Sequence, residues 1–157
     1  YNPEPAFLEL MGFYERAQAR DLIISVVIYQ DKMILDGIYL EHHKDAIKRG
    51  VTINKIFIIP DETEGTEQCI SKIRAFDEAG VRTFVVPRRT IGPDTRLIAD
   101  FLLYKNIVAI SAQGENGMLS SLKITAQQQD FDDYTHKFEE LSKIAYTFLK
   151  ATIPVVD

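Results

Sequence analysis

Short apolar runs separated by turn-forming residues fill the stretch from Arg82 to Thr125. The runs are rich in β-branched and aromatic side chains, a composition typical of strands. Lys105-Asn106 separates two of them, and Asn tolerates the positive φ that a tight hairpin turn requires. The pattern therefore predicts three consecutive strands after an earlier α/β half. The first two either form a hairpin or are one bent strand from Ala99 to Ser111.

The first half of the chain alternates between helical and strand patterns. LIISVVIY is almost continuously apolar, which is typical of a central strand covered on both faces. DAIKRGVTINKIFIIP and RAFDEAGVRTFVVP share one layout, so each is predicted as a βα unit that feeds a mostly parallel sheet. The predicted order is α-β-α-β-α-β-β-β-β-α. The helices are predicted at Phe7–Ala17, Ile34–Arg49, Asp61–Gly80 and Asp130–Phe148. The early strands are predicted at Leu22–Tyr29, Lys55–Pro60 and Arg82–Pro87.

The composition suits one domain. A chain of 157 residues with 46% hydrophobic content buries roughly 68–70% of the surface of its unfolded state, so we expect residues 1–157 to form a single α/β domain. The chain begins at Tyr1 rather than Met, and we expect it to be excised from a longer protein. Its formal net charge of -5 argues against a general nucleic-acid binder, because such domains carry a basic excess.

Several classes of protein lack their usual sequence support. Cys69 is the only cysteine, so no disulfide or thiolate metal cluster is expected, and a reducing, cytoplasmic location is favoured. No apolar run approaches the length of a membrane span. No Gly-rich phosphate loop follows the first strand, and no Gly-x-Ser-x-Gly or His-Glu-x-x-His motif is present. We predict no cofactor, no metal site and no membrane partner.

The histidines fall in predicted helices. His42 and Lys44 form a His-x-Lys string, but two residues that are two apart on a helix point in nearly opposite directions. A solvated charged face is therefore predicted for them rather than a ligand or acid–base role. His136 lies on another amphipathic helix, and the same prediction applies to it.

A candidate ligand site lies where the predicted strands end. The loop after the third early strand is surrounded by Arg88, Arg89 and Arg96. At this place in open α/β sheets, guanidinium groups hold phosphates or carboxylates. The alternative is a solvated turn with salt bridges to Asp94 and Asp100. Asp100 is flanked by apolar residues, so an inward orientation would require a cation or a hydrogen-bond donor. The candidate ligand-binding residues are Tyr29, Gln30, Arg88, Arg89, Asp100, Ser111 and Gln113.

The layout from Phe13 to Phe148 resembles one half of the phospholipase D superfamily. YERAQARDLIISVVIY is similar to the opening helix and strand of that family, and DAIKRGVTINKIFIIP to the helix and strand that follow. FDEAGVRTFVVP resembles the segment ahead of the active-site strand of that family. ADFLLYKNIVAISA resembles the hairpin that carries its catalytic signature. The resemblance implies a three-layer α-β-α sandwich around a mixed, mostly parallel sheet.

The catalytic signature of that family is altered in this chain. The family hairpin carries His-x-Lys, and an Asp after four further residues; the histidine attacks phosphorus and the lysine holds the phosphate. Ile98 stands at the position of the histidine, Asp100 at that of the lysine, and Asn106 or Lys105 at that of the aspartate. Isoleucine has no nucleophilic atom, and aspartate repels a phosphate. The resemblance therefore implies the scaffold without the activity, and no catalytic residue is assigned.

Three functional hypotheses follow. The leading one is a pseudoenzyme, a regulatory, ligand-sensing or protein-interaction module of a larger cytoplasmic protein, as in relatives of the family that serve transcription regulation or signalling. By the same analogy we expect a homodimer or a partner domain. The guanidinium groups of the candidate site point to a small anionic ligand. The second is a phosphodiesterase or nuclease completed by another chain, or a hydrolase that uses Asp31 or Asp100. The third is a DNA-binding regulator that contacts phosphates through Arg88, Arg89 and Arg96.

Overall fold

The α/β prediction is confirmed by the computed structural model, which describes residues 5–30, 36–113 and 119–148. Helices and strands alternate through the first half, and three consecutive strands follow in the second. The helices are α1 Pro5–Arg16, α2 Asp36–Lys48, α3 Glu67–Glu78, α4 Arg88–Ile91 and α5 Gln128–Ile144, with a 3₁₀ turn at Thr95–Leu97. The strands are β1 Leu22–Ile28, β2 Thr52–Ile59, β3 Arg82–Pro87, β4 Phe101–Tyr104, β5 Ile107–Gln113, β6 Leu119–Thr125 and β7 Tyr146–Thr147.

One mixed sheet connects all of these strands in the order β6-β5-β4-β1-β2-β3-β7. The strands β1, β2 and β3 pair in parallel, as the two similar βα stretches predict. The pairings of β4 with β1, of β5 with β4, of β6 with β5 and of β7 with β3 are antiparallel. Among the described strands, β1, β2, β3 and β5 therefore run in one direction, and β1 lies near the middle of the sheet.

Helices cover both faces of the sheet, which gives three layers. On one face α1, α2 and α3 pack on alternate residues of β1 and β2, among them Ile23, Val27, Ile53 and Phe57. On the other face α5 packs on the residues in between, such as Val26 and Ile56. The alternation follows from the two-residue period of a strand. A polar side chain on β1 or β2 is therefore enclosed by a helix layer whichever face it points to.

The hairpin prediction is confirmed. The strands β4 and β5 pair with Tyr104 opposite Ile107, so the turn consists of Lys105 and Asn106. The positive φ falls on Lys105, at 54°, instead of on Asn106. Ala99 to Ser111 is thus not one bent strand.

Several predicted boundaries require correction. The loop predicted at Arg88 and Arg89 is the short helix α4, and β2 begins at Thr52 rather than Lys55. The last helix begins at Gln128 and ends at Ile144 rather than continuing to Phe148. The reason is that Tyr146 and Thr147 pair with β3 as an edge strand, and this pairing depends on long-range contacts that a helical period does not reveal. The predicted start of the second helix at Ile34 lies outside the described residues.

In the part of the chain that the structure describes, every helix is too short or too polar to cross a membrane.

Candidate functional site

The order in which the chain adds strands to the sheet reverses at β1. The carboxyl end of β1 lies there beside the start of the antiparallel strand β4. From β1 the chain continues to β2 on one side of β1, and it later returns to β4 on the other side. Ligands of open α/β sheets bind at such reversals, outside the carboxyl ends of the strands. Asp100 immediately precedes β4, and its Oδ2 accepts a hydrogen bond from the backbone N–H of Ile28 at 3.3 Å. The structure therefore places Asp100 at the topological switch point.

Asp100 is joined to the neighbouring strand β5. The backbone N–H of Ser111 donates to the carbonyl oxygen of Asp100 at 2.9 Å, and the Ser111 side chain hydrogen-bonds the carboxylate. Although the residue is only partly buried, its carboxyl is desolvated. Burial raises the pKa of Asp100 to about 6, and the Ile28 N–H, the Lys55 charge and the Ser111 hydroxyl oppose this rise.

Lys55 lies at the centre of a buried polar cluster. It is 0% exposed and lies opposite Ser25 in the parallel register of β1 and β2. Its Nζ donates to Ser25 Oγ at 2.9 Å and to the hydroxyl of Tyr39. Burial lowers the pKa of Lys55 from its ordinary value of 10.5 to about 7, against the opposing charge of Asp100. The lysine is thus balanced between its neutral and charged forms near pH 7.

Two residues of α2 complete this cluster. Tyr39 and His43 are four apart and therefore share a face of the helix. His43 Nδ1 lies 2.7 Å from the carbonyl oxygen of Tyr39, which can only accept, so Nδ1 carries the proton. His43 Nε2 then accepts from Lys55 Nζ at 3.2 Å. Burial, followed by the Lys55 charge, holds the pKa of His43 well below its usual range, so the imidazole is neutral.

We define the buried polar cluster as Ser25, Tyr39, His43, Lys55 and Asp100. It contains an imidazole, an amine, a carboxyl and hydroxyls, which are the groups that proton transfer requires. His43 and Lys55 are both 0% exposed, however, and both ring nitrogens of His43 are occupied. The cluster can exchange protons internally, but a substrate cannot reach its imidazole or its amine in this conformation.

The predicted ligand-binding residues are distributed along the rim of the sheet. Asp100 and Ser111 are brought together, and the backbone N–H of the fully buried Tyr29 donates to the Ile58 carbonyl. Arg89 pairs with Glu64 at 2.9 Å, at the end of β3. Gln30 and Arg88 are partly buried, and the side chain of Gln113 lies outside the described residues. Whether these residues bind one ligand stays a prediction.

The other predicted charged groups form ordinary surface pairs. Arg96 is paired with Asp94 at 3.0 Å and is 83% exposed. His42 lies 3.5 Å from Glu15, and Lys44 lies 3.4 Å from Glu41. The described residues contain no group of His, Cys, Asp and Glu side chains that could hold a metal ion. Asp31, named in the hydrolase hypothesis, is outside the described residues.

Sequence reasoning missed Lys55, His43, Tyr39 and Ser25. A signal was available for Lys55, because it alternates along β2 with Ile53 and Phe57, both in the core, so the strand period places its side chain on a buried face. The rest of the cluster comes from elements distant in sequence. Only the packing of α2 on the sheet brings them together.

Ile98, which the sequence resemblance places at the position of the family histidine, has a hydrocarbon side chain. Ile98 lies just ahead of Asp100 and packs with the apolar cluster beneath α5. Its side chain is thus partly buried against the hydrophobic core that includes Val26 and Phe101.

Comparisons with known proteins identify the fold. No protein-family model and no curated protein matches the chain. Among solved structures it is similar to Nuc from Salmonella typhimurium, described as a phospholipase D family member, with a TM-score of 0.58 and 9% identity over 90% of each chain. The chain is therefore an α/β domain with a phospholipase D-like fold. At this identity the likeness concerns the fold alone.

Two tyrosines of the same region are expected to respond oppositely to loss of the hydroxyl. The Tyr14 hydroxyl is buried without a hydrogen bond of normal geometry, although it lies near enough to Ser25 and Tyr39 to affect its pKa. Tyr14→Phe should therefore raise the free energy of unfolding by about 1 kcal/mol. Tyr39→Phe should lower it by about 1–2 kcal/mol, because a buried Lys55 donor loses its acceptor. Urea denaturation at pH 7 measures both; equal signs would contradict the hydrogen-bond assignment.

Proposed function

We propose that this chain is a non-catalytic domain of phospholipase D-like fold that serves as a regulatory and ligand-sensing module of a larger cytoplasmic protein. The observation that carries the proposal is the enclosure of the reactive groups. His43 on α2 and Lys55 beneath this helix are fully buried, and Ile98 is partly buried against the core. A nucleophile must reach the phosphorus atom it attacks, and the described residues at the switch point offer no exposed imidazole or amine.

The regulatory part of the proposal is supported by the position of Asp100. Its carboxyl joins the ends of β1 and β5 and interacts with Lys55. A ligand that binds at the switch point would therefore act on the buried polar cluster directly. Such a link between a partly exposed group and a buried network suits a sensor.

The DNA-binding hypothesis has less support. Arg89 and Arg96 are each neutralised by a carboxylate at 2.9 Å and 3.0 Å. The net charge of the chain is -5, and polyanion binding requires a basic face. A homodimer or a partner domain stays a prediction.

Turnover of a simple phosphodiester tests the proposal. We expect the purified chain to release no p-nitrophenolate from bis(p-nitrophenyl) phosphate above the buffer rate at pH 6, 7 and 8, because the described residues at the switch point present no exposed imidazole or amine to attack phosphorus. The assay is repeated over a range of protein concentrations, so that a site completed by a second copy would become active at the higher ones. Turnover that Asp100→Asn abolishes, and that the matched surface variant Asp94→Asn retains, would establish an enzyme and overturn the proposal.

A further inference from the structure

A second cavity lies apart from the buried polar cluster, at the carboxyl ends of β2 and β3. It has a volume of about 430 Å³, within the range of ligand pockets. The helix α3 forms one wall, and the edge strand β7 with the following Phe148 forms another. Its apolar lining comes from Ile59, Ile70, Ile73, Val85, Pro87 and Phe148.

Charged groups lie only at the mouth of this cavity. Arg89 and Glu64 both line it and pair at 2.9 Å, with side chains 57% and 31% exposed. Glu64 lies two residues before Thr66, the N-cap of the 12-residue helix α3, and its carboxylate is held by the Arg89 guanidinium. At the mouth, Arg89 therefore already binds one carboxylate, that of Glu64.

The interior selects against a polar ligand. Apart from the Cys69 thiol, the Tyr146 hydroxyl and the Gly65 backbone, its uncharged lining is hydrocarbon, and polar groups buried there would lose their hydrogen bonds to water. Tyr146, 44% exposed, extends the apolar wall to the surface. The fitting ligand is therefore apolar along its length and anionic at one end.

We propose that this cavity binds a medium-chain carboxylate, with the alkyl chain between α3 and β7 and the headgroup on Arg89 in place of Glu64. This binding site goes beyond the sensing role proposed above, which concerns the switch point at Asp100. It is tested by binding rather than by turnover. Failure of one proposal is therefore distinguishable from failure of the other.

Opposite effects of two substitutions test the exchange of carboxylates. Binding of decanoate, below its micelle concentration, is measured by titration calorimetry. Arg89→Gln should weaken binding about tenfold, because a charge-assisted hydrogen bond is lost. Glu64→Gln should tighten it severalfold, because the internal competitor is removed. The matched control Arg96→Gln, which breaks another surface pair, should leave it unchanged. A purely structural ion pair would make both pocket variants change binding in the same direction, and that result would overturn the proposal.

The single cysteine supplies an independent readout. Cys69 lines the cavity and is the only thiol of the chain. Because it is only 1% exposed, iodoacetamide reaches it when the cavity opens, and a ligand that fills the cavity should hold it closed. Saturating decanoate should slow this reaction severalfold, decanol should slow it less, and acetate should have no effect. Circular dichroism verifies that the protein stays folded in each sample. Absence of protection by decanoate, or equal protection by acetate, would contradict the proposed site.

Discussion

Replacing Lys55 with glutamate is expected to lower the free energy of unfolding by about 3–5 kcal/mol or more. The substitution removes the cation that faces Asp100 and places a second carboxylate in a space that is 0% exposed. Natural domains have only about 5–15 kcal/mol of stability in total. We therefore expect the variant to lose a large share of its stability at pH 7 and to unfold at a much lower urea concentration than the wild type, as followed by circular dichroism.

Lys55→Met is the matched control for this substitution. Methionine is similar in length and fills the same space, and no charge has to be desolvated, so the loss of the hydrogen bonds to Ser25 and Tyr39 is partly offset. We expect the methionine variant to stay folded. A glutamate variant as stable as the wild type would show that the side chain at residue 55 reaches water, which would contradict the enclosed site.

The protein is expected to become more stable by roughly 2 kcal/mol between pH 7 and pH 9. The pKa of Lys55 is about 7 in the folded protein, below its ordinary value of 10.5. Between these values the unfolded chain binds one more proton than the folded chain, so the free energy of unfolding rises with pH. The lowered pKa of His43 and the raised pKa of Asp100 act at lower pH.

Urea denaturation at pH 7, 8 and 9 measures this rise. The raised pKa values of Tyr14 and Tyr39 have the opposite effect, but only near pH 10 and above, so the window ends at pH 9. Lys55→Met should abolish the rise, whereas Lys48→Met, at an exposed position on α2, should retain it. If the free energy of unfolding of the Lys55→Met variant still rises between pH 7 and pH 9, titration of other groups causes the rise.

Much of the fold was predictable from local patterns. The continuous apolar run of β1 predicted a central strand, and its place between β4 and β2 confirms this. The Lys105-Asn106 turn predicted the hairpin, although the positive φ falls on the lysine. Gly50 and Gly80, predicted to end helices, follow α2 and α3 with φ of 96° and 102°. These features depend on neighbours along the chain, and the sequence displays them directly.

Other elements depend on distant partners. The strand β7 exists because Tyr146 and Thr147 pair with Phe84 and Val85 of β3. In the sequence, Ala145 and Phe148 on either side of this pair continue the apolar period of α5, so the helix prediction extended past Ile144. Pairing with β3 decides between helix and strand at these residues. The backbone groups at the free edge of β3 can be paired only by a segment in the extended conformation.

The sequence by itself determined the α/β class, the order of the elements and the place of Asp100 ahead of a strand, because hydrophobic periods and turn residues are local properties. Only the tertiary structure decided which polar side chains meet. Register places Ser25 opposite Lys55, and the packing of α2 brings Tyr39 and His43 onto that pair. The physical reason is that burial, which gives these groups their altered pKa values, is a property of the assembled layers and not of any one segment.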